Sequence, residues 1–176
     1  MMKRIAMLAC VAALVACNQP AATPDQSQAA PGAEQADSGE MEQIDPSSAE
    51  GQARLREIVG GYLDQAQQAM APNAQRDAGF QDEGALIPLS ASPHNWVVNL
   101  NANVNYVIVG ACDDDCTNLD IELIDAANAV VASDTAPDDF PIVRHRPAAA
   151  GTFTVRTHLR TCAVEPCQVG VRILTE

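Results

Sequence analysis

Four cysteines in the C-terminal half, Cys112, Cys116, Cys162 and Cys167, stand in two close pairs. Thiols placed this way either cross-link or hold a soft metal. Their C-x3-C and C-x4-C intervals differ from the C-x2-C knuckles of zinc sites. Four cysteines allow three disulfide pairings. The local ones, Cys112–Cys116 and Cys162–Cys167, are favoured because each brackets a short loop. Carboxylates crowd the same region. Asp113, Asp114 and Asp115 adjoin Asn118 and Asp120, and Asp134 lies close to Asp138 and Asp139. Calcium is held by several oxygens at once, which makes Asp113, Asp115, Asp120, Asp134 and Asp138 the metal candidates. Neither cluster has the glycine and glutamate spacing of an EF-hand, and adjacent acids in a turn are ordinarily just solvated.

The other reactive side chains are few. His94, His145 and His158 are the only histidines, and Ser92 and Ser133 are the serines that a hydrolytic triad would draw on. No Gly-x-Ser-x-Gly elbow supports such a triad, and the sequence predicts no catalysis. His158 shares a strand face with Arg156, which predicts a surface position. Trp96, the only tryptophan, is either a sugar-stacking platform or, at the start of a strand, a core residue; the core is favoured. Arg144, Arg146, Arg156, Arg160 and Arg172 either gather on one sheet face or balance acids across strands, and the second reading is preferred.

The compartment is written at the front. Lys3 and Arg4 form a positive n-region, and Ile5 to Leu14 form an uncharged apolar stretch. That stretch is too short to span a bilayer, which takes about 20 residues, but it suits a secretory leader. It ends in Leu14-Val15-Ala16-Cys17. This resembles the lipobox of bacterial lipoproteins. The resemblance implies a diacylglycerol thioether on Cys17 and cleavage before it, so that residues 1–16 are a signal peptide. Several acyl chains on one residue hold far better than one, since each buried methylene contributes about 0.8 kcal/mol. Asn18, rather than an aspartate, follows the cysteine. By the same resemblance, this favours the outer membrane. Export into an oxidising compartment also makes disulfides the expected state of the four remaining cysteines.

Residues 17–47 then form a linker. From residue 18 they are rich in Ala, Gln, Pro, Ser, Asp and Glu, and their only large apolar residues are Met41 and Ile44. Such a segment buries too little apolar surface to order itself, which predicts a disordered tether. Its end-to-end distance would be about 30 Å as a coil and roughly 95 Å when extended. Loss of Lys3 and Arg4 with the leader leaves eight basic residues against 23 acidic ones, a formal charge of −15, and no lysine. This charge excludes nucleic acid and anionic lipid surfaces as partners, because both require a basic face.

Folding is expected from residue 48. Ser48 can cap a helix over residues 48–72. Leu55, Ile58, Val59, Tyr62, Leu63, Ala66 and Met70 form one apolar stripe on it, Gly60 and Gly61 weaken its middle, and Pro72 ends it. Docking of this stripe on the rest of the domain is expected. After Ala85 the period falls to two. Trp96, Val98 and Leu100 alternate with polar or exposed positions, as do Leu119, Ile121 and Leu123, then Phe153, Val155, Thr157 and Leu159, then Val169, Val171 and Ile173. Val104 to Val109 is nearly continuously apolar, as in a strand covered on both faces. Shorter strands fit at 85–89, 129–133 and 141–146. About eight short strands with turn residues between them predict an all-β sandwich or barrel over residues 84–176.

A second resemblance rests on Tyr106 to Cys116, Leu119-Asp120-Ile121-Glu122-Leu123, Ala132-Ser133-Asp134, Pro141 and Gly151-Thr152-Phe153-Thr154-Val155. In this order they resemble the bacterial pre-peptidase C-terminal domain, over roughly residues 95–175. The resemblance implies a jelly-roll-like antiparallel β-sandwich with no catalytic role, of a kind that in some cases binds extracellular polymers or calcium. Three features depart from it: no peptidase precedes the domain, Asp125-Ala126-Ala127-Asn128 lacks the usual turn glycine, and the two cysteine pairs are additions.

The expected function is therefore that of a membrane-anchored envelope lipoprotein with a non-catalytic binding or support module for a protein or glycan. A calcium-dependent structural or adhesive domain, or a hydrolase, are the alternatives. Intact mass measurement of the chain purified from membranes is expected to find lipid on Cys17 as the first residue, and Cys17→Ser is expected to abolish it. A free, unmodified terminus would refute the anchor.

Overall fold

A computed structural model describes residues 44–176. The leader, Cys17 and all but the last few residues of the linker lie outside them. Helix α1 spans Ala49–Met70 and opens where the sequence placed its cap: the Ser48 side chain accepts a hydrogen bond from the Gly51 backbone N–H at 2.9 Å. Nine strands follow: β1 (Gln75–Arg76), β2 (Glu83–Ile87), β3 (His94–Leu100), β4 (Tyr106–Cys112), β5 (Asn118–Ile124), β6 (Val130–Asp134), β7 (Ile142–His145), β8 (Gly151–Thr161) and β9 (Cys167–Thr175). The two-residue β1 carries no sequence alternation and was not foreseen.

The strands form two antiparallel sheets. One runs β2–β9–β4–β7, with the short β1 also on β9, and the other runs β3–β8–β5–β6. Successive strands from β2 to β5 change sheet at each step, as do β6 to β9, which is the wrapping of a jelly roll. Trp96, Val98, Leu100, Ile108, Leu119, Ile121, Leu123, Val155, Val169 and Val171 fill the space between the sheets. They are the period-two positions of the sequence, turned to one side by the pleat. The Asp125–Asn128 turn manages without its glycine. Asn128 takes φ of 62°, and the Asp125 carboxylate accepts the N–H of Ala127 and of Ala129 at 2.9 Å each. Asparagine is one of the few side chains that tolerates this left-handed backbone.

The β4–β9 pair is buried on both faces, and α1 supplies the second cover. Val59, Leu63 and Ala66 of the helix pack on Val107, Val109, Ala111 and Leu174. The helix thus belongs to the same compact unit as the strands, Met41–Glu176. Gly170 of β9 sets how close it lies. A Cβ there would stand 2.6 Å from Val59 Cγ1 and 3.2 Å from Leu63 Cδ1, so any larger residue would push the helix outward.

Arg172 sits beside Gly170 on the helix-covered side and is only 1 % exposed. Its alternation with Val171 and Ile173 suggested a solvated arginine, and the helix makes it a buried one. An unpaired buried guanidinium would be very costly. Here Nε and Nη2 donate to the two Asp82 oxygens at 2.9 and 2.7 Å, while Nη1 donates to Asp64 Oδ1 at 2.7 Å and to Gln67 Oε1 at 3.2 Å. Arg76 shares both acids, at 3.0 Å to Asp64 and 3.1 Å to Asp82. Burial alone would lower the Arg172 pKa. The hydrogen bonds from Asp82 and Asp64 more than offset it and hold the pKa above the usual arginine value. In return, the hydrogen bond from Arg172 holds the Asp64 carboxyl below the usual range despite some desolvation.

Arg172→Ala is expected to lower the unfolding free energy by about 1.5–3 kcal/mol, since it removes a buried guanidinium's hydrogen bonds to charged acceptors that themselves keep water and Arg76 as partners. Arg76→Ala, on the exposed side of the same acids, should cost only about 0–1 kcal/mol. Urea unfolding curves with unchanged slope would measure both, and equal losses would show that the buried fork is not the main tie.

Candidate functional site

Both predicted disulfides are present, Cys112–Cys116 and Cys162–Cys167. The first closes the β4–β5 turn and the second the β8–β9 turn. The two turns are also bound to each other. Ala163 N–H donates to the Asp115 carbonyl at 2.7 Å, and Thr117 N–H donates to Thr161 Oγ1 at 3.0 Å. From the helix, the Tyr62 hydroxyl bonds to Asp114, and this bond raises the phenol's pKa.

The five calcium candidates are distributed differently from what their sequence neighbourhood suggested. Asp113 is buried, and its Oδ2 accepts the Gln168 N–H at 2.6 Å. Asp115 remains in the disulfide turn. Asp120 sits on the outer face of the second sheet, where Arg160 Nε donates to it at 2.6 Å. Asp134 accepts the N–H of Ala136 at 3.1 Å and of Ile142 at 2.9 Å, and Asp138 accepts that of Phe140 at 3.1 Å. Asp134 and Asp138 thus serve the crossover between β6 and β7, and Asp120 a cross-strand ion pair. Among the described residues no group of three or more His, Cys, Asp or Glu side chains converges as metal ligands would.

The histidines lie on different strands, β3, β7 and β8. His94 meets the Trp96 ring edge-on at 4.6 Å, His145 tilts against Phe153 at 5.6 Å, and His158 lies 3.1 Å from Glu122. Ser92 Oγ accepts the Leu159 N–H at 3.0 Å, and Ser133 faces Glu122 across the β5–β6 pair. Among the described residues no serine side chain is hydrogen-bonded to a histidine. The arginines divide between locations. Arg156 and Arg160 balance Glu122 and Asp120 across β5 and β8, as expected. Arg144 and Arg172 belong to the other sheet, where Arg144 donates to the Met70 carbonyl at 2.7 Å.

One concavity was not legible in the sequence. It is an open cleft of about 560 Å³ beside β3, at one side edge of the sandwich. One wall is strand β3 itself, through Trp96, Val97, Val98 and Asn99, and Asn101 just beyond it. The other is the segment before β2, through Asp77, Gly79, Phe80, Gln81 and Glu83. Val155, Val171 and Ile173 of the core form the floor. The opposite side edge is closed. There Asp134 at the end of β6 takes the Ile142 N–H at the start of β7, and the Asp138 carbonyl takes the Leu119 N–H at 2.9 Å. Trp96 is the core residue that the sequence favoured. It belongs to the core and is 9 % exposed, and the exposed part lines the cleft.

The cleft's far wall is held in place from behind. Asp82, between two cleft-lining residues, turns the other way and grips Arg172 and Arg76. Phe80 is anchored by an edge-on contact with Tyr106, their ring centroids 6.2 Å apart. The signal that could have revealed this segment was the charge alternation of Arg76, Asp77 and Asp82 just before a strand. Nothing in the sequence said which of these faced the helix.

Asp113 carries a prediction of its own. Its Oδ1 is buried without a hydrogen-bond partner, and burial, helped by Asp115 and Asp114, pushes its pKa up despite the Gln168 N–H bond. A raised native pKa means the folded state binds the proton more tightly. Stability from this group therefore grows as pH falls through the native value towards the ordinary 3.8, and is absent at neutral pH. Asp113→Asn keeps an acceptor for Gln168 and removes the buried charge. It is expected to stabilise the protein at pH 7 by about 1 kcal/mol, and the advantage should shrink in urea titrations at increasingly acid pH. A variant less stable than the parent at neutral pH would contradict this.

Compared with known proteins, the chain matches no family model and no curated protein.

Proposed function

We propose that the protein is a lipid-anchored lipoprotein of the bacterial envelope whose folded domain is a non-catalytic binding module, with the cleft beside β3 as its binding site. The single observation that carries this reading is the composition of that cleft. An apolar floor and two aromatic rings, Phe80 and Trp96, are bordered by amides, Gln81, Asn99 and Asn101, and by two acids, Asp77 and Glu83. This is the mixture of apolar area and a few orienting polar groups on which ligand sites are built. No histidine, cysteine or serine contributes to the lining, so it offers no nucleophile–base pair.

Two features of the sequence support the setting. The Leu14-Val15-Ala16-Cys17 stretch resembles a lipobox, and Asn18 favours the outer membrane. The resemblance to pre-peptidase C-terminal domains fits a sandwich that binds rather than reacts. A domain tethered by lipid meets its partners at high local concentration, so modest affinity at an open cleft is sufficient.

Photo-crosslinking in living cells tests the site. Val97 is 71 % exposed beside the cleft, and Val130 is 51 % exposed on β6, at the other edge of the same sheet. A photoreactive residue at position 97 is expected to capture a discrete envelope component, and one at 130 is not. Identical capture at both positions, or none at 97, would remove the cleft as the binding site.

A further inference from the structure

Taking the cleft as the binding site, we infer that its ligand is an extended polypeptide segment bearing lysine or arginine, which pairs with β3 as an additional strand.

The first observation is the kind of surface β3 presents. Trp96, Val97 and Val98 are consecutive, so their side chains alternate between the two faces of the sheet, yet all three line the cleft. The cleft therefore runs along the strand's edge and not along one face. β3 pairs only with β8, and among the described residues no strand meets its other side. Its outward-pointing N–H and C=O groups border the cleft.

The second observation is that this edge is undefended. Sheet edges normally carry a charge, a proline, a bulge or extreme shortness, each of which blocks pairing with a foreign strand. The other edges follow that rule. β7 has four residues, holds Arg144 and lies between Pro141 and Pro147. β6 ends in Asp134, and its pairing with β5 shifts register. β1 has two residues, and β2 begins with Glu83 and is followed by Pro88. β3 runs for seven residues in unbroken register with no acid, lysine, arginine or proline within it, although Pro93 stands just before its first residue. It also exposes Val97, one of the few large apolar side chains at the surface among the described residues. An edge of this kind is the template on which strand addition occurs.

The third observation selects the occupant. Side chains of an added strand would point alternately inward, onto Trp96, Phe80, Val171 and Ile173, and outward to solvent. An apolar residue at every second position suits the inward set. Among the described residues the only charged groups lining the cleft are Asp77 and Glu83, and the nearby Arg76 is turned away onto Asp64 and Asp82. They favour a lysine or arginine on the incoming segment. The same charges oppose a second copy of this chain, which would bring another Asp77 and Glu83 to the seam.

The test is selection of a phage-displayed library of random linear peptides on the full chain purified in detergent, followed by synthesis of the selected peptides. The expected peptides alternate apolar residues with polar ones and carry at least one lysine or arginine. Binding should shift the emission of Trp96, the only tryptophan. N-methylation of single peptide amides should weaken binding about tenfold at alternate positions and little between them, because only every second N–H faces β3. The double variant Asp77→Asn, Glu83→Gln should weaken binding by about threefold to tenfold and reduce its salt dependence.

Selection of no peptide, of acid-rich peptides, or of peptides without that alternating sensitivity overturns strand addition. If soluble peptidoglycan fragments shift Trp96 emission while no peptide is selected, the cleft stands as a binding site and its ligand is a glycan. If neither does so and position 97 captures nothing in cells, the cleft reading falls as well. A dimer in sedimentation that Val97→Lys abolishes would give this edge to a second copy and would also overturn the proposal.

Discussion

The pairing of Arg172 with Asp82 and Asp64 is the constraint on which most of the remaining architecture rests. A guanidinium on the covered face of a sheet must be fully hydrogen-bonded or the cover cannot close. Meeting that requirement brings together the helix through Asp64 and Gln67, the inner strand β9, and the segment before β2 through Asp82. The helix can approach only because Gly170 leaves room for Val59 and Leu63. The segment held by Asp82 is also the far wall of the cleft. One buried guanidinium and the partly exposed acids that hold it thus tie the second cover of the sheet to the surface on the opposite side of that segment.

The two side edges of the sandwich receive opposite treatment. Between β6 and β7, side-chain and backbone hydrogen bonds from the 134–142 crossover join the sheets. Between β2 and β3, the sheets stay apart and the core residues Val155, Val171 and Ile173 reach the floor of an open channel. The wet outer face of the β3–β8–β5–β6 sheet is different again. Its acids and arginines neutralise one another across strands and leave no ionic feature for a partner to read. At the β3 edge, by contrast, polar backbone, apolar floor and acidic rim coincide.

Much of this was legible in the residues. Period-two alternation marked four of the strands. The nearly continuous apolar run from Val104 to Val109 marked a strand covered on both sides, and the apolar stripe from Leu55 to Met70 marked the helix that packs onto it. Close cysteine spacing favoured the observed disulfide pairing among the three that were open. Legibility failed where a side chain's meaning depends on a partner far away in sequence. Arg172 alternates with valine and isoleucine just as Arg156 alternates with Val155 and Thr157. Only the docked helix distinguishes the buried fork from the solvated ladder. The acids are a related case. Proximity along the chain did not say that Asp113 would serve a buried backbone N–H, Asp120 a cross-strand arginine and Asp134 a crossover. The cleft left no local signature, since it is a gap between strands and not a property of either.

The disulfides join cysteines separated by only four and five positions. Closing so short a loop removes little freedom from the unfolded chain, about 2 kcal/mol for each bridge on the chain-entropy account. The jelly roll, with its long-range pairings and two apolar layers, does not rest on them. A chain with both bridges reduced would therefore still complete its sheets and present the same β3 edge. The cross-links brace two turns at one end of the sandwich, and the open strand edge is set independently of them.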